Sequence, residues 1–355
     1  MNLIKNEWQK LLLRKSSWIM QLVLVLMVFL MALLLFFVNK TINTSEGSGE
    51  APRGVTQHFD ASGQPISEDQ YNSIAKNDSE KAKQIRTEVL SPKDSVSALK
   101  MQKKAVTDKQ TKEELQRQID YYQVYADKGK TPLESAGGPD GAQFFGSLAQ
   151  EASIATILVV IIASTIVASE FSGGTIKLLL TRPYSRSQVL ASKLIICIIY
   201  AVISSIVLFV SSLLFSLMLG SESYSLPLAP ATGSLNAYEM ALKLTGTNFV
   251  LMLTFLSIAF LFSSVVRSQA LAVGVGIGAL FSGNIIATFL PLAIAKYDWL
   301  KWLIFNLFQL NSMALGNEVA GGLAMWQVIL TLFAYIIVIL GFTFYIFKKR
   351  DVALS

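Results

Sequence analysis

Residues 168–193 read ASEFSGGTIKLLLTRPYSRSQVLASK. This stretch lies between two apolar runs, Ile154–Ser169 and Leu194–Gly220. It is too polar for lipid and too short for a domain. It carries Lys177, Arg182, Arg186 and Lys193 against a single acid, Glu170. A polar break of this size between two membrane-length runs predicts an elbow joining two membrane helices. That reading makes the chain a helical protein that crosses a bilayer several times.

Composition agrees. The chain has 355 residues, 52% hydrophobic and 15% charged, where a soluble protein is about a quarter charged. Several apolar runs reach the roughly 18–20 residues that a helix needs to cross a bilayer core. The expected fold is an all-α polytopic membrane protein with six transmembrane helices, an amphipathic N-terminal interfacial helix and an extracellular helical hairpin. The net charge of +6 is unevenly spread. Residues 41–147 hold 14 Lys and Arg against 16 Asp and Glu, so the remainder holds 16 against 8. The basic excess belongs to the membrane portion and reports orientation. It does not form the continuous basic face of a nucleic-acid binder. Cys197 is the one cysteine and His58 the one histidine. They predict no disulfide and no transition-metal site, and His58 reads as a solvated loop residue.

In chain order, residues 1–17 place Leu3, Ile4, Trp8, Leu11 and Leu12 at helical spacing. They suit a helix lying on the membrane surface, with Glu7 interrupting the stripe. The alternative is an ordinary basic flank of the first span. The first span covers 18–38. Residues 39–147 are expected outside: a helix from Ser67 towards Leu90, then a second from Ser91-Pro92 to Lys128, stopped by Gly129. The second span covers 148–169 and the elbow 170–193. Further spans are expected at about 194–220, 247–266, 270–290 (stopped by Pro291) and 326–347. Residues 292–325 read as an outer interfacial or re-entrant segment, because their apolar stretch Trp302–Leu310 is too short to span. Inner segments would carry most of the Lys and Arg, which places both termini in the cytoplasm.

The spans hold almost no ionisable groups, which argues against proton- or sodium-coupled transport. There is also no phosphate loop of the GxxxxGK[ST] kind, because Gly173-Gly174-Thr175 continues as Ile176-Lys177. ATP-driven work would need a separate subunit. The sequence Glu170-Phe-Ser-Gly173-Gly174-Thr175-Ile176-Lys177-Leu178-Leu179-Leu180-Thr-Arg182-Pro183-Tyr-Ser185-Arg186, followed by Lys193, resembles the signature loop of type-2 ABC exporter permeases. The amphipathic start, six spans and basic end (Lys348-Lys349-Arg350) fit that family too. The long insertion at 41–147 resembles only its subgroup with a helical ectodomain.

The resemblance implies a dimeric permease, formed with a second permease copy or a homologue, and driven by cytoplasmic ABC ATPase subunits. ATP and Mg would sit on those partners, with no cofactor and no catalytic residue in this chain. The cargo class would be amphiphilic: a peptide antibiotic, a drug or a lipid-like molecule. Ile176 to Leu180 would form an apolar docking ridge. Lys177, Arg182 and Arg186 would pair with acids or headgroups, and Glu170 would join the elbow to the moving helix. A plainer reading is that the bases only set topology. Ala270, Gly274 and Gly278, at i, i+4, i+8, suit close helix packing. Asn284, Asn306, Gln309 and Asn311 read either as a polar substrate path or as groups that satisfy backbone breaks. A membrane scaffold or sensor, whose hairpin binds an envelope protein or peptide, is the alternative function.

Overall fold

The structure is a computed structural model. It describes residues 2–43, 51–52, 55–59, 65–66, 71, 73–74, 76, 85–134, 139–147, 149–173, 185–220, 224–266 and 268–349. The chain forms two compact units: one of residues 1–33, 144–218 and 239–355, the other of residues 34–143 and 219–238.

The larger unit is the helical membrane part. Helix α1 is Asn2–Leu13 and α2 is Lys15–Asn43. Five helices are long and apolar enough to cross a membrane: Lys15–Thr41 within α2, a helix over Ala149–Ser172, another over Arg186–Leu219, one over Ala237–Val265, and the last over Met325–Lys349. A sixth, Gln269–Ile294, qualifies as one span bent by 41° between Gly283 and Ile285. The chain is thus an all-α polytopic membrane protein.

The helix Ala149–Ser172 is the middle of the unit: 72% of its membrane window is buried, against 17% for α2 and 17% for Met325–Lys349. On α2, Leu24, Val28 and Ala32 form one fully buried stripe, while Leu22, Leu26, Leu30 and Phe37 stay exposed. A helix apolar all round with one packed stripe is what a lipid-facing helix needs.

The smaller unit departs from expectation. The predicted helix running to Leu90 is absent at its end, where Arg86–Val89 is strand β4. Two-residue strand β1 is Ala51–Pro52, β2 is Thr56–Phe59 and β3 is Pro65–Ile66. The sheet order is β3-β2-β4, all antiparallel, with Thr56 opposite Val89. Local capping signals lose here to long-range pairing. His58 lies in β2, buried rather than solvated; its Nδ1 is 2.9 Å from Thr87 Oγ1 and its ring stacks on Tyr71.

The expected single helix from Ser91 to Lys128 is two. Helix α3 is Pro92–Ala105 and α4 is Lys109–Lys128. Ser91 caps α3 with Pro92 in its first turn, as expected, and Gly129 ends α4 at φ 63°. The break comes at Asp108, whose Oδ2 accepts from the Thr111 backbone N–H and hydroxyl at 2.8 and 2.7 Å. Those hydrogen bonds, the hydroxyl's first, hold the Asp108 carboxyl below its ordinary value. The helical hairpin is therefore α3 on α4, with Leu99, Leu115, Ile119 and Tyr122 in its core. Residues 219–238 belong to this unit, and Tyr125 donates its hydroxyl to the Pro227 carbonyl at 3.0 Å. The connecting elements are strand β5, Leu133–Glu134, paired with β1, and the short helix α5, Gly141–Gly146.

In the remaining numbering, α6 is Ala149–Ser172, α7 is Arg186–Leu219, α8 is Ala237–Val265 and α9 is Gln269–Ile294. Two one-turn helices follow, α10 (Ile304–Leu307) and α11 (Leu310–Ala314), then α12 (Met325–Lys349). Helices α10 and α11 are too short to span, as the sequence predicts for residues 302–310.

Pro291 does not stop α9, which continues to Ile294. Proline has no N–H, so the carbonyl four residues back, on Ala287, loses its helical donor. The Gln309 side-chain amide supplies one at 3.1 Å. Gln309→Leu is expected to lower stability by about 1–2 kcal/mol through that unsatisfied carbonyl. Thermal unfolding in detergent reads it, and Gln309→Glu, which offers no donor when ionised, should not rescue.

Candidate functional site

The ends of the elbow come together in a buried ionic cluster. Helix α6 runs to Ser172, and the Gly173 N–H closes its last turn on the Ser169 carbonyl at 2.9 Å. Helix α7 starts at Arg186, so residues 186–193 are its first two turns and no longer elbow. The start is a capping box: Gln188 N–H donates to Ser185 Oγ at 3.3 Å, and Ser185 N–H to Gln188 Oε1 at 2.9 Å. The Ser185-x-x-Gln188 spacing is the local signal for it.

These two helix ends set Glu170 against Lys193. Lys193 Nζ donates to Glu170 Oε1 at 3.2 Å and to Glu7 Oε2 at 2.9 Å. Lys10 Nζ donates to Glu7 Oε1 at 3.0 Å and to Glu170 Oε1 at 3.4 Å. Side-chain exposure is 3% for Lys193, 6% for Glu7 and 9% for Glu170, against 51% for Lys10. Among the described residues two carboxylates and two ammonium groups thus alternate. Glu170 lies in the last turn of α6, where the helix dipole disfavours an acid. The two lysines offset that.

Glu7 is the member of this cluster that sequence reasoning misplaces. It interrupts the apolar stripe of α1 only if that stripe faces lipid. In the structure Glu7 and Leu11 are the buried face, and Ile4, Leu12 and Leu13 are exposed. An acid at i, i+4 from Leu11 and i, i+3 from Lys10, in a helix otherwise basic, is the signal that could have found it. Arg14 Nη2 adds a bond to Ser169 Oγ at 3.4 Å, and Trp18 Nε1 donates to the Leu12 carbonyl at 2.7 Å. Helix α1 is therefore docked on the elbow frame.

The cluster fixes the pH response of that docking. Burial pushes the Glu7 carboxyl up, but Lys193 and then Lys10 outweigh it, so it sits below its ordinary value of 4.5. Burial likewise lowers Lys10, and Glu7 and Glu170 outweigh it, raising it above 10.5. A depressed acid stabilises above its unfolded value and loses that contribution as pH falls through its folded value. A raised base stabilises below its unfolded value and loses it as pH rises through the folded one. Hydrogen exchange of the α1 amides, corrected for intrinsic rates, should be flat from about pH 5 to about pH 9 and rise below about pH 4. A flat profile to about pH 3 would leave Glu7 without this role.

Of the other elbow residues, Ser185 is exposed and Arg186 half-buried. Gly174, Thr175, Ile176, Lys177, Leu178, Leu179, Arg182 and Pro183 lie outside the described residues. Ala270, Gly274 and Gly278 occupy the exposed face of α9, and a Cβ at Gly274 or Gly278 meets nothing within 4 Å. The close packing inside the chain falls instead to Gly276, where a Cβ would come 2.5 Å from Ser164 Oγ and 3.0 Å from Val160 Cγ1. Asn306 is fully buried and its amide donates to the Lys301 and Ala320 carbonyls at 2.9 and 3.0 Å. With Gln309 on Ala287, both serve backbone breaks. The Asn284 side chain lies outside the described residues.

Residues 116–353 match a family described as a protein of unknown function (DUF2705). Two relatives come from Bacillus subtilis (strain 168). The uncharacterized protein YhcI is 34% identical over 204 residues, 56% of this chain and 64% of that protein. The uncharacterized membrane protein YdbK is 28% identical over 218 residues, 59% of this chain and 83% of that protein. The match thus spans a little under two thirds of YhcI.

Proposed function

The chain belongs to the family of proteins of unknown function DUF2705, and we propose that it is the membrane permease subunit of an ATP-driven exporter of the type-2 ABC class. It works as a dimer, with ATP and Mg held by separate cytoplasmic ATPase subunits. Both termini are cytoplasmic, as the Lys and Arg distribution favours, and residues 39–147 are extracellular. The observation that carries this reading is the frame around the elbow. A segment bearing Ile176 to Leu179, Arg182 and Pro183 leaves one long helix and enters another, and a buried ionic cluster pins both of its ends. A force on that segment acts on Glu170 and so on α6, the most buried helix of the membrane unit. Ala270, Gly274 and Gly278 put small residues on the exposed side of α9, beside the exposed Phe281 and Ile285, and this side suits a second copy.

The test is capture of the cognate ATPase by the purified chain. Ile176→Asp and Leu179→Asp place a charge on an apolar ridge, and each is expected to cut capture and export at least about tenfold. Undiminished capture and export in both variants ends the coupling role.

A second reading has one observation in its favour. The smaller unit owns a core around Leu99, Leu115, Ile119 and Tyr122, which suits a scaffold or sensor that binds an envelope protein or peptide. ATPase stimulation by an amphiphilic peptide, with and without residues 39–147, separates the two. Stimulation that survives the deletion favours transport.

A further inference from the structure

We propose that a polar cavity in the membrane unit binds a small uncharged hydrogen-bonding group, a hydroxyl-rich or amide headgroup carried on an apolar tail. The cavity measures about 210 Å³ and is walled by α6, α8, α9 and the segment around α10 and α11. Its polar side is Thr156, Asn248, Asn311 and Ser312. Its apolar side is Phe255 and Phe308, whose rings pair at 4.5 Å and 36°.

The hydrogen bonding there is incomplete. Thr156 has one hydroxyl proton, and the Ala152 carbonyl takes it at 3.0 Å. That proton is then spent, although Thr156 Oγ1 also lies 3.5 Å from Asn248 Oδ1. Asn248 Oδ1 is left with the Asn311 amide at 3.5 Å, the weak limit of a hydrogen bond. Asn311 Oδ1 is buried with no protein partner. Two carboxamides so placed, one carbonyl oxygen unmet, call for a donor from outside the chain.

Charge narrows the class. Among the described residues none of the ten that line the cavity is ionisable, and Lys243 beside it donates to the Ala314 carbonyl at 3.1 Å, so an ionic headgroup would meet no counter-charge on the wall itself, which is costly. Hydroxyl and amide groups exchange donors and acceptors with Asn, Ser and Thr at no such cost. The aromatic pair offers a flat apolar face for the carbon side of a sugar ring or the start of a tail. Three of the walls, α6, α8 and α9, are helices of membrane length, so a ligand arriving from lipid brings an apolar part.

The site also has a mechanical position. Thr156 and Glu170 are on the same helix, about 21 Å apart along its axis. Any role of that link in export rests on the permease reading, but the binding does not.

Binding is measured on the full chain in zwitterionic nanodiscs, without any ATPase, so its failure is separate from failure of ATPase capture. The probe is tritiated n-octyl β-D-glucoside below its micelle concentration. Saturable binding of one probe per chain is expected, displaced by the unlabelled glucoside and not by octyl sulfate or octyltrimethylammonium. Asn248→Leu and Asn311→Leu should each weaken it at least tenfold. Thr156→Val, nearly isosteric, serves if those two fail to fold, and should weaken it several-fold. Uptake no different from empty nanodiscs would mean a hydrated cavity only and would overturn the proposal. Equal displacement by the charged amphiphiles would do the same, as would parental affinity in a folded Asn311→Leu or Thr156→Val chain.

Discussion

Replacing Lys193 with Met is expected to destabilise the membrane unit by about 3–5 kcal/mol, the usual cost of removing one partner from a buried ion pair. The methionine fills the volume but leaves Glu7 and Glu170 facing each other, with the half-exposed Lys10 as their shared cation. Thermal unfolding in detergent should show it, with proteolysis of α1 rising in parallel because Glu7 loses its shortest contact. The control is Glu7→Leu, Glu170→Gln and Lys193→Met together. With both acids neutralised, the charge left in the cluster is on Lys10, which is half-exposed and can turn to water, and most of the stability should return. If the single variant unfolds within about 0.5 kcal/mol of the parent, or the triple is no better than the single, the cluster does not hold the frame.

The second large effect is at Gly276. A valine there drives its branched side chain into Ser164 and Val160, at the contact between α9 and α6. Helix packing has no slack for it: Val160 is fully buried and stiff at χ1, and Ser164 is fully buried. Overpacking of this kind costs about 1–3 kcal/mol. Gly274→Val, half a turn away, meets nothing within 4 Å and should leave the unfolding of one chain within about 0.5 kcal/mol of the parent. Equal effects at the two positions would mean that α9 packs on another face. A drop in self-association for Gly274→Val alone, read by cross-linking, is the outcome that a second copy on this face requires.

Much was legible in the sequence because bilayer physics leaves few choices. A run of apolar residues long enough to span becomes a helix, since no other local structure satisfies its backbone in lipid. The six apolar runs therefore correspond to the helices found, and the cap at Ser91, the stop at Gly129 and the shortness of the apolar stretch at 302–310 needed only local chemistry. What the sequence alone left undecided was which face of each helix meets protein. Glu7 looks like a flaw in α1 until Lys193, distant in sequence, is brought beside it. Gly274 and Gly276 look alike until α6 packs on one and not the other. Arg86–Val89 pairs with Thr56–Phe59 across thirty residues, and no local signal outweighs that pairing. The ends of the elbow show the same division: Glu170 and Lys193 stand in the sequence as isolated charges, but the cluster that pins them joins three helices. Only tertiary structure sets such contacts, because the energy of a buried charge lies in its partner rather than in its own position.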